Sequence, residues 1–238
     1  MHICFLDIDG TLVLTDGAGQ TAFARTLAED FGIETIDGSV PFAGRSDRAI
    51  AADLFCSHSV AATDENWKRF RAGYLTRLQD SLATHNGRVL PGVPELLSAL
   101  ATRGDVALGL LTGNLREGAR YKLSYYGLWN HFAFGGFGDE HMERCDIAAA
   151  ALAAARSHLA CAANGSSNSG PQLTNGRVVV IGDTLHDIAC GRSIGASCVA
   201  VPTGHTSADV LRSGEPDALV ATLEDVDPIL ALFDRDSR

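Results

Sequence analysis

The chain has 238 residues, of which 46% are apolar and 20% charged, and a formal net charge of −10. That length allows one domain, or one with a smaller insert, and that composition reads as soluble and globular. Excess acid argues against nucleic acid, whose affinity rests on Lys and Arg meeting phosphates. The longest apolar block, Ile147–Ala155, falls short of the about 20 residues that a bilayer needs.

Ile3–Leu6 is a short apolar run that ends at acidic residues, as a buried parallel strand does. Phe23, Leu27 and Phe31 recur at four-residue steps and predict a helix that Gly32 ends. Asp47 is expected to N-cap a second helix running to about Cys56. Asp64 is expected to cap a third, with Trp67, Phe70, Tyr74, Leu78 and Leu82 on one face as packing residues. Residues 15–86 thus read as all-helical, ending in the turn Thr84–Gly87. Beyond them the pattern alternates. Pro94 opens a helix closed by Gly104, Val106–Leu111 is a strand, and Arg116–Tyr126 is a helix. A short strand at Phe132–Phe134 and a long Ala-rich helix within Asp139–His158 come next. Asn164–Gly176 reads as a flexible surface loop. The last elements are strands at Arg177–Ile181, Ser197–Val201 and Ala218–Val220, with helices running to Ser193 and over Ser207–Arg212.

Strands alternating with helices predict an α/β fold, a Rossmann-like parallel sheet covered on both faces, with a helical insert after the first strand. The expected division is a core of residues 1–14 and 87–238 and a helical cap of residues 15–86. The N-terminus lacks the charged start, apolar stretch and small-residue cleavage site of a signal peptide, so the cytoplasm is the expected location. Cys4, Cys56, Cys145, Cys161, Cys190 and Cys198 are scattered without a C-x-x-C pair and are expected as reduced, mostly buried thiols.

Open parallel sheets bind ligands at the carboxyl ends of their strands. The residues just after each predicted strand are therefore informative. The first strand delivers Asp7-Ile8-Asp9-Gly10-Thr11-Leu12, the second Thr112-Gly113-Asn114, and a later one Gly182-Asp183-Thr184-Leu185-His186-Asp187. Carboxylates gathered in one crevice repel one another, so a cation is expected among them, and all-oxygen ligands point to Mg²⁺.

D-x-D-G-T-L, T-G-N and G-D-T-x-x-D, in this order, resemble motifs I, II and IV of the haloacid dehalogenase-like superfamily. The helical insert resembles that superfamily's helical cap, as in its phosphoglycolate phosphatase-like members, so the likeness runs from roughly Ile3 to His205. The resemblance implies Asp7 as nucleophile, forming an aspartyl-phosphate, and Asp9 as general acid and base. It implies Thr112, with Gly113 and Asn114 after it, as the phosphoryl-holding segment. It implies Mg²⁺ on Asp7, the main-chain carbonyl of Asp9 and Asp183, supported by Asp187. The family's third motif, a cation commonly written Lys-Pro, has no such match. Arg144, at the start of the Ala-rich helix, and Lys122, within the helix after T-G-N, are the two candidates. Arg144 is favoured because a helix start faces the strand ends, whereas mid-helix Lys122 reads as a surface charge. Arg45 in Gly44-Arg45-Ser46-Asp47 is the candidate substrate contact from the insert. The expected activity is a phosphatase for small phosphorylated metabolites. A phosphosugar mutase of β-phosphoglucomutase type and a non-catalytic binding protein retaining the fold are the alternatives.

Overall fold

The computed structural model describes residues 1–164 and 176–234. The predicted loop at Asn164–Gly176 therefore lies, over residues 165–175, outside the described residues.

In chain order the elements are β1 (His2–Leu6), β2 (Val13–Leu14), α1 (Ala18–Phe31), α2 (Asp47–Ser57), α3 (Asp64–Thr84), β3 (Arg88–Val89), α4 (Val93–Arg103), β4 (Val106–Leu111) and α5 (Arg116–Tyr125). Then come a 3₁₀ turn (Trp129–His131), β5 (Phe134–Gly136), α6 (Arg144–Asn164), β6 (Val178–Gly182), α7 (Leu185–Ser193), β7 (Ser197–Ala200), α8 (Ala208–Ser213), β8 (Ala218–Leu219) and α9 (Asp227–Asp234).

The main sheet has the order β5-β4-β1-β6-β7-β8 and is parallel throughout. β1 lies between β4 and β6, so the run from β4 to β5 and the run from β6 to β8 wind outward from it in opposite directions. Their divergence opens a crevice at the carboxyl ends of these three strands. Side chains of β1 alternate between the two faces, as a strand requires. Cys4 and Leu6 join a core with Leu96, Leu97 and Leu100 of α4, Leu123 of α5 and Leu232 and Phe233 of α9. Ile3 and Phe5 join the opposite core with Ile147, Ala148, Ala151 and Ala155 of α6. The alanines of α6 let it ride close over β5, where a Cβ on Gly136 would fall 2.3 Å from the Ile147 carbonyl oxygen.

The antiparallel pair β2–β3 brackets the helical insert, joining Val13 to Val89 and Leu14 to Arg88. Within the insert, Phe23, Leu27, Leu54, Phe55, Phe70, Tyr74 and Leu78 form a separate apolar cluster, which also takes in Leu115. Phe70 is fully buried and Trp67 packs beside it, as packing residues should.

Several local expectations are corrected. Ser46, not Asp47, caps α2, accepting from the Ala49 N–H, and Thr63, not Asp64, caps α3 through the Asn66 N–H. A hydroxyl preceding an acid takes the cap, and the acid occupies the first turn, where the helix dipole favours it. The Ala-rich helix starts at Arg144, as expected, and runs to Asn164, beyond the expected end at His158. β5 lies at Phe134–Gly136 rather than Phe132–Phe134, and β6 runs one residue later than expected, ending at Gly182. Three cysteines are buried (Cys4, Cys190, Cys198), but Cys56, Cys145 and Cys161 are exposed. No described helix is long and apolar enough to cross a membrane.

Candidate active site

Asp7 comes directly after the last residue of β1, its N–H donating to the Ile181 carbonyl of β6 at 3.0 Å. The chain then turns back sharply. The N–H groups of Leu12 and Val13 both donate to the Ile8 carbonyl, and Gly10 takes φ +82°. Glycine is needed there twice over, since a Cβ would also fall 2.4 Å from Asp183 Oδ2. Gly204 closes the other side, where a Cβ would fall 1.8 Å from the same oxygen.

At the end of β6, Thr184 caps α7 and forms a reciprocal capping box with Asp187. The box commits Asp187 Oδ2, which accepts from the Thr184 N–H at 3.0 Å and from its hydroxyl at 2.6 Å. Asp187 Oδ1 accepts from Arg144. Asp7, Asp183 and Asp187 each offer an oxygen, and these oxygens lie within 4.8 Å of one another. Oδ1 of Asp7 and Oδ1 of Asp183 are buried without a hydrogen-bond partner. Burial, then the charge of Asp187, raises the Asp7 carboxyl to about 7. The same two causes, with Asp7 added, raise Asp183 to about 9. Buried carboxylates with free oxygens and raised pKa values fit a hard divalent cation, which would supply the missing ligand and the missing charge.

Arg144, the first residue of α6, is 6% exposed. Its Nη1 lies 3.7 Å from Asp7 Oδ1, and its Nη2 donates to Asp187. The other candidate cation is also inside the site, which corrects the expectation of a surface charge. Lys122 is 4% exposed, and its Nζ lies 2.8 and 2.6 Å from the two Asp9 oxygens and 2.6 Å from Asn114 Oδ1. Helix α5 presents Ala119, Lys122 and Leu123 to the interior. A Lys on the apolar stripe of a helix is the readable signal, because solvated lysines avoid that stripe.

Thr112 comes directly after β4 and is fully buried. Its Oγ1 accepts from the Asn114 N–H at 3.3 Å and from Asn114 Nδ2 at 2.9 Å, which leaves its own O–H free to donate. Asn114 Nδ2 also donates to Asp9 Oδ2 at 2.7 Å, so this side chain is engaged with Asp9. The insert sits directly on this loop. The Asp47 N–H donates to the Gly113 carbonyl at 2.8 Å, and Asp47 Oδ2 accepts from the Leu115 N–H at 2.8 Å. A Cβ on Gly113 would fall 2.2 Å from the Arg45 carbonyl oxygen. Ser46 Oγ donates to the Met142 carbonyl at 2.7 Å, and Arg71 pairs with Asp139 at 3.3 Å. Sequence reasoning anticipates none of these seams, since each pairs residues remote in the chain.

A cavity of about 390 Å³ lies between these parts. Asp7, Asp9, Thr112, Gly113, Asn114, Lys122, Arg144 and Asp183 form its floor, and Phe23, Phe42, Ile50 and Tyr74 line the insert's side. Arg45 also lines it, with its guanidinium paired to Asp53. Asp187 lies beneath, against Arg144.

Residues 4–201 match the family model described as haloacid dehalogenase-like hydrolase. Probable phosphatase IndB of Dickeya dadantii is 26% identical over 233 residues, covering 94% of this chain and 91% of that protein. Among solved structures, CbbY from Rhodobacter sphaeroides in complex with phosphate superposes with a TM-score of 0.69 at 18% identity, covering 99% of this chain and 100% of that one. A predicted phosphoglycolate phosphatase from Haemophilus somnus gives 0.63 at 19% identity, covering 96% and 97%. With the motif-bearing strand ends in one crevice and the match spanning most of its length, this chain belongs to the haloacid dehalogenase-like hydrolase family.

Proposed function

We propose that the chain is a Mg²⁺-dependent phosphatase that hydrolyses small phosphomonoesters through an aspartyl-phosphate on Asp7. The observation that carries this reading is Asp7 itself. It is a buried carboxylate with an uncommitted oxygen, flanked by an acidic pair on one side and a guanidinium on the other. The similar proteins, a probable phosphatase and a predicted phosphoglycolate phosphatase, point the same way.

Asp7 and Asp183, with the Asp9 carbonyl and with Asp187 in support, would hold the metal, which supplies positive charge against the phosphate and the carboxylates. Asp7 attacks phosphorus, and the bond from phosphorus to the leaving oxygen breaks. Asp9, entering this step protonated, gives that oxygen its proton and is left as a carboxylate. It then takes one from the water that attacks the aspartyl-phosphate, which releases inorganic phosphate and restores Asp7. Thr112 donates its free hydroxyl to a phosphoryl oxygen, with Gly113 beside it. Arg144 offsets the repulsion between Asp7 and the incoming dianion. Phosphoryl transfer asks mainly for such positioning and charge neutralisation.

Residues 15–86 act as the cap that closes over the phosphate, and residues 1–14 with 87–238 as the catalytic core. Arg45 and the aromatic wall of Phe23 and Phe42 meet the leaving group, and a phosphoglycolate-like substrate is the first to try. The protein works in the cytoplasm on small phosphorylated metabolites, without nucleic acid or membrane. The test is phosphate release from a panel of phosphometabolites with Mg²⁺ and with EDTA. Mg²⁺-dependent release of free phosphate supports the reading. Conversion of a phosphoglucose without free phosphate replaces it with the mutase, and no turnover on any panel member rejects it.

A further inference from the structure

We propose that Lys122 is a positioning residue for Asp9, holding its carboxylate apart from the Asp7–Asp183–Asp187 cluster and open to the cavity; this rests on the phosphatase reading above. An ammonium group has three N–H donors. The three acceptors around Nζ are both oxygens of Asp9 and Oδ1 of Asn114. Its hydrogen-bonding capacity is therefore spent before any substrate arrives, so Lys122 does not itself bind the phosphate.

The burial of the pair is lopsided. The Lys122 side chain is 5% exposed and that of Asp9 41%. Here the cation is sunk into the fold, and the carboxylate it grips faces the cavity. Asn114 makes the grip directional. It takes a hydrogen bond from Lys122 and gives one to Asp9 Oδ2 and one to Thr112 Oγ1. The general acid and base and the phosphoryl-holding hydroxyl are thereby fixed in one frame.

Such a grip has a purpose in this site. Asp9 stands two residues from Asp7, beside carboxylates suited to a cation. A loose fourth carboxylate could swing onto that cation and leave the proton-transfer position empty. Lys122 comes from α5, whose start is anchored through the Leu115 N–H to Asp47. It is roofed by the first turn of α1, where a Cβ on Gly19 would lie 3.6 Å from Nζ. Both supports keep the ammonium from following Asp9.

The test is a double-mutant cycle of Lys122→Met and Asp9→Asn, read as kcat and KM on p-nitrophenyl phosphate with Mg²⁺ and as the melting temperature of the metal-free proteins. Lys122→Met should lower kcat by about 10- to 100-fold, within the about 10²–10⁴ that general acid–base catalysis supplies, and change KM by less than about twofold. In the Asp9→Asn background the same substitution should change kcat by less than about twofold, because there is no longer a carboxylate to hold. The metal-free melting temperatures should be coupled in the same sense. Lys122→Gln keeps an amide donor and serves if the Met variant does not fold; it should fall between Met and wild type. Equal losses in both backgrounds overturn the proposal while leaving the phosphatase intact. So does a raised KM at unchanged kcat, which would make Lys122 a substrate contact. A wild-type protein without turnover overturns the phosphatase reading and this proposal with it.

Discussion

Arg144→Ala removes the guanidinium beside the proposed nucleophile. With Nη1 3.7 Å from Asp7 Oδ1, the pair interacts by about 4.5 kcal/mol at an effective dielectric of about 20. Without it, Asp7 meets an approaching phosphate dianion with less positive charge nearby. Each 1.36 kcal/mol is a factor of ten, so kcat/KM should fall by about 10³. The same residue bonds Asp187, and breaking a buried pair from one side costs roughly 3–5 kcal/mol, so a fall in stability accompanies the fall in rate. Rates are therefore to be measured on p-nitrophenyl phosphate with saturating Mg²⁺, at a temperature where circular dichroism shows the variant folded. Arg144→Lys, which keeps charge but loses the fork that reaches both carboxylates, should be intermediate. A folded Arg144→Ala within about tenfold of wild type would refute the electrostatic argument, since less than about 1.4 kcal/mol would then be at stake.

Asp7→Asn should abolish turnover while preserving the fold, and above about pH 7 should raise the metal-free melting temperature by removing one charge from a crowded cluster; residual turnover beyond a trace of deamidated protein would count against Asp7. Burial and neighbouring acids raise Asp7 to about 7 and Asp183 to about 9, whereas an unfolded Asp titrates near 3.9. Between about pH 5 and about pH 7 the unfolded chain has lost both protons and the metal-free fold largely keeps them, so stability should fall with rising pH, by up to roughly 1.4 kcal/mol per unit for each group. Added Mg²⁺ should reverse that fall, and flat melting temperatures across the range would contradict the assigned cluster. Gly113→Ala places a Cβ 2.2 Å from the Arg45 carbonyl and should cost roughly 1–3 kcal/mol of stability by forcing the insert off the motif loop, which a denaturant titration would register.

The strand-end motifs are legible because each comes after a short apolar run, and the parallel sheet does the rest by bringing strand ends together. Asp7, Thr112 and Asp183 need only chain order to be placed. Lys122 is hard to place because a position within a helix says nothing of which face it takes; the stripe it shares with Ala119 and Leu123 is the available clue. The bonds of Asp47, Ser46 and Arg71 onto the 112–143 segment span remote residues, and no local propensity encodes such a meeting. α9 escapes sequence reasoning because its eight residues show an almost continuous apolar run, which periodicity cannot assign.

The central claim is a phosphoryl group carried on Asp7, and trapping it is the most direct measurement. The protein is mixed with substrate and Mg²⁺, quenched in acid within its first turnovers and digested, and its peptides are weighed. A phosphoryl adduct on the peptide containing Asp7, removed by hydroxylamine and absent with EDTA or in Asp7→Asn, is the expected result. Phosphate release from active protein with no adduct on that peptide at any quench time, or with the adduct on another residue, would contradict the account.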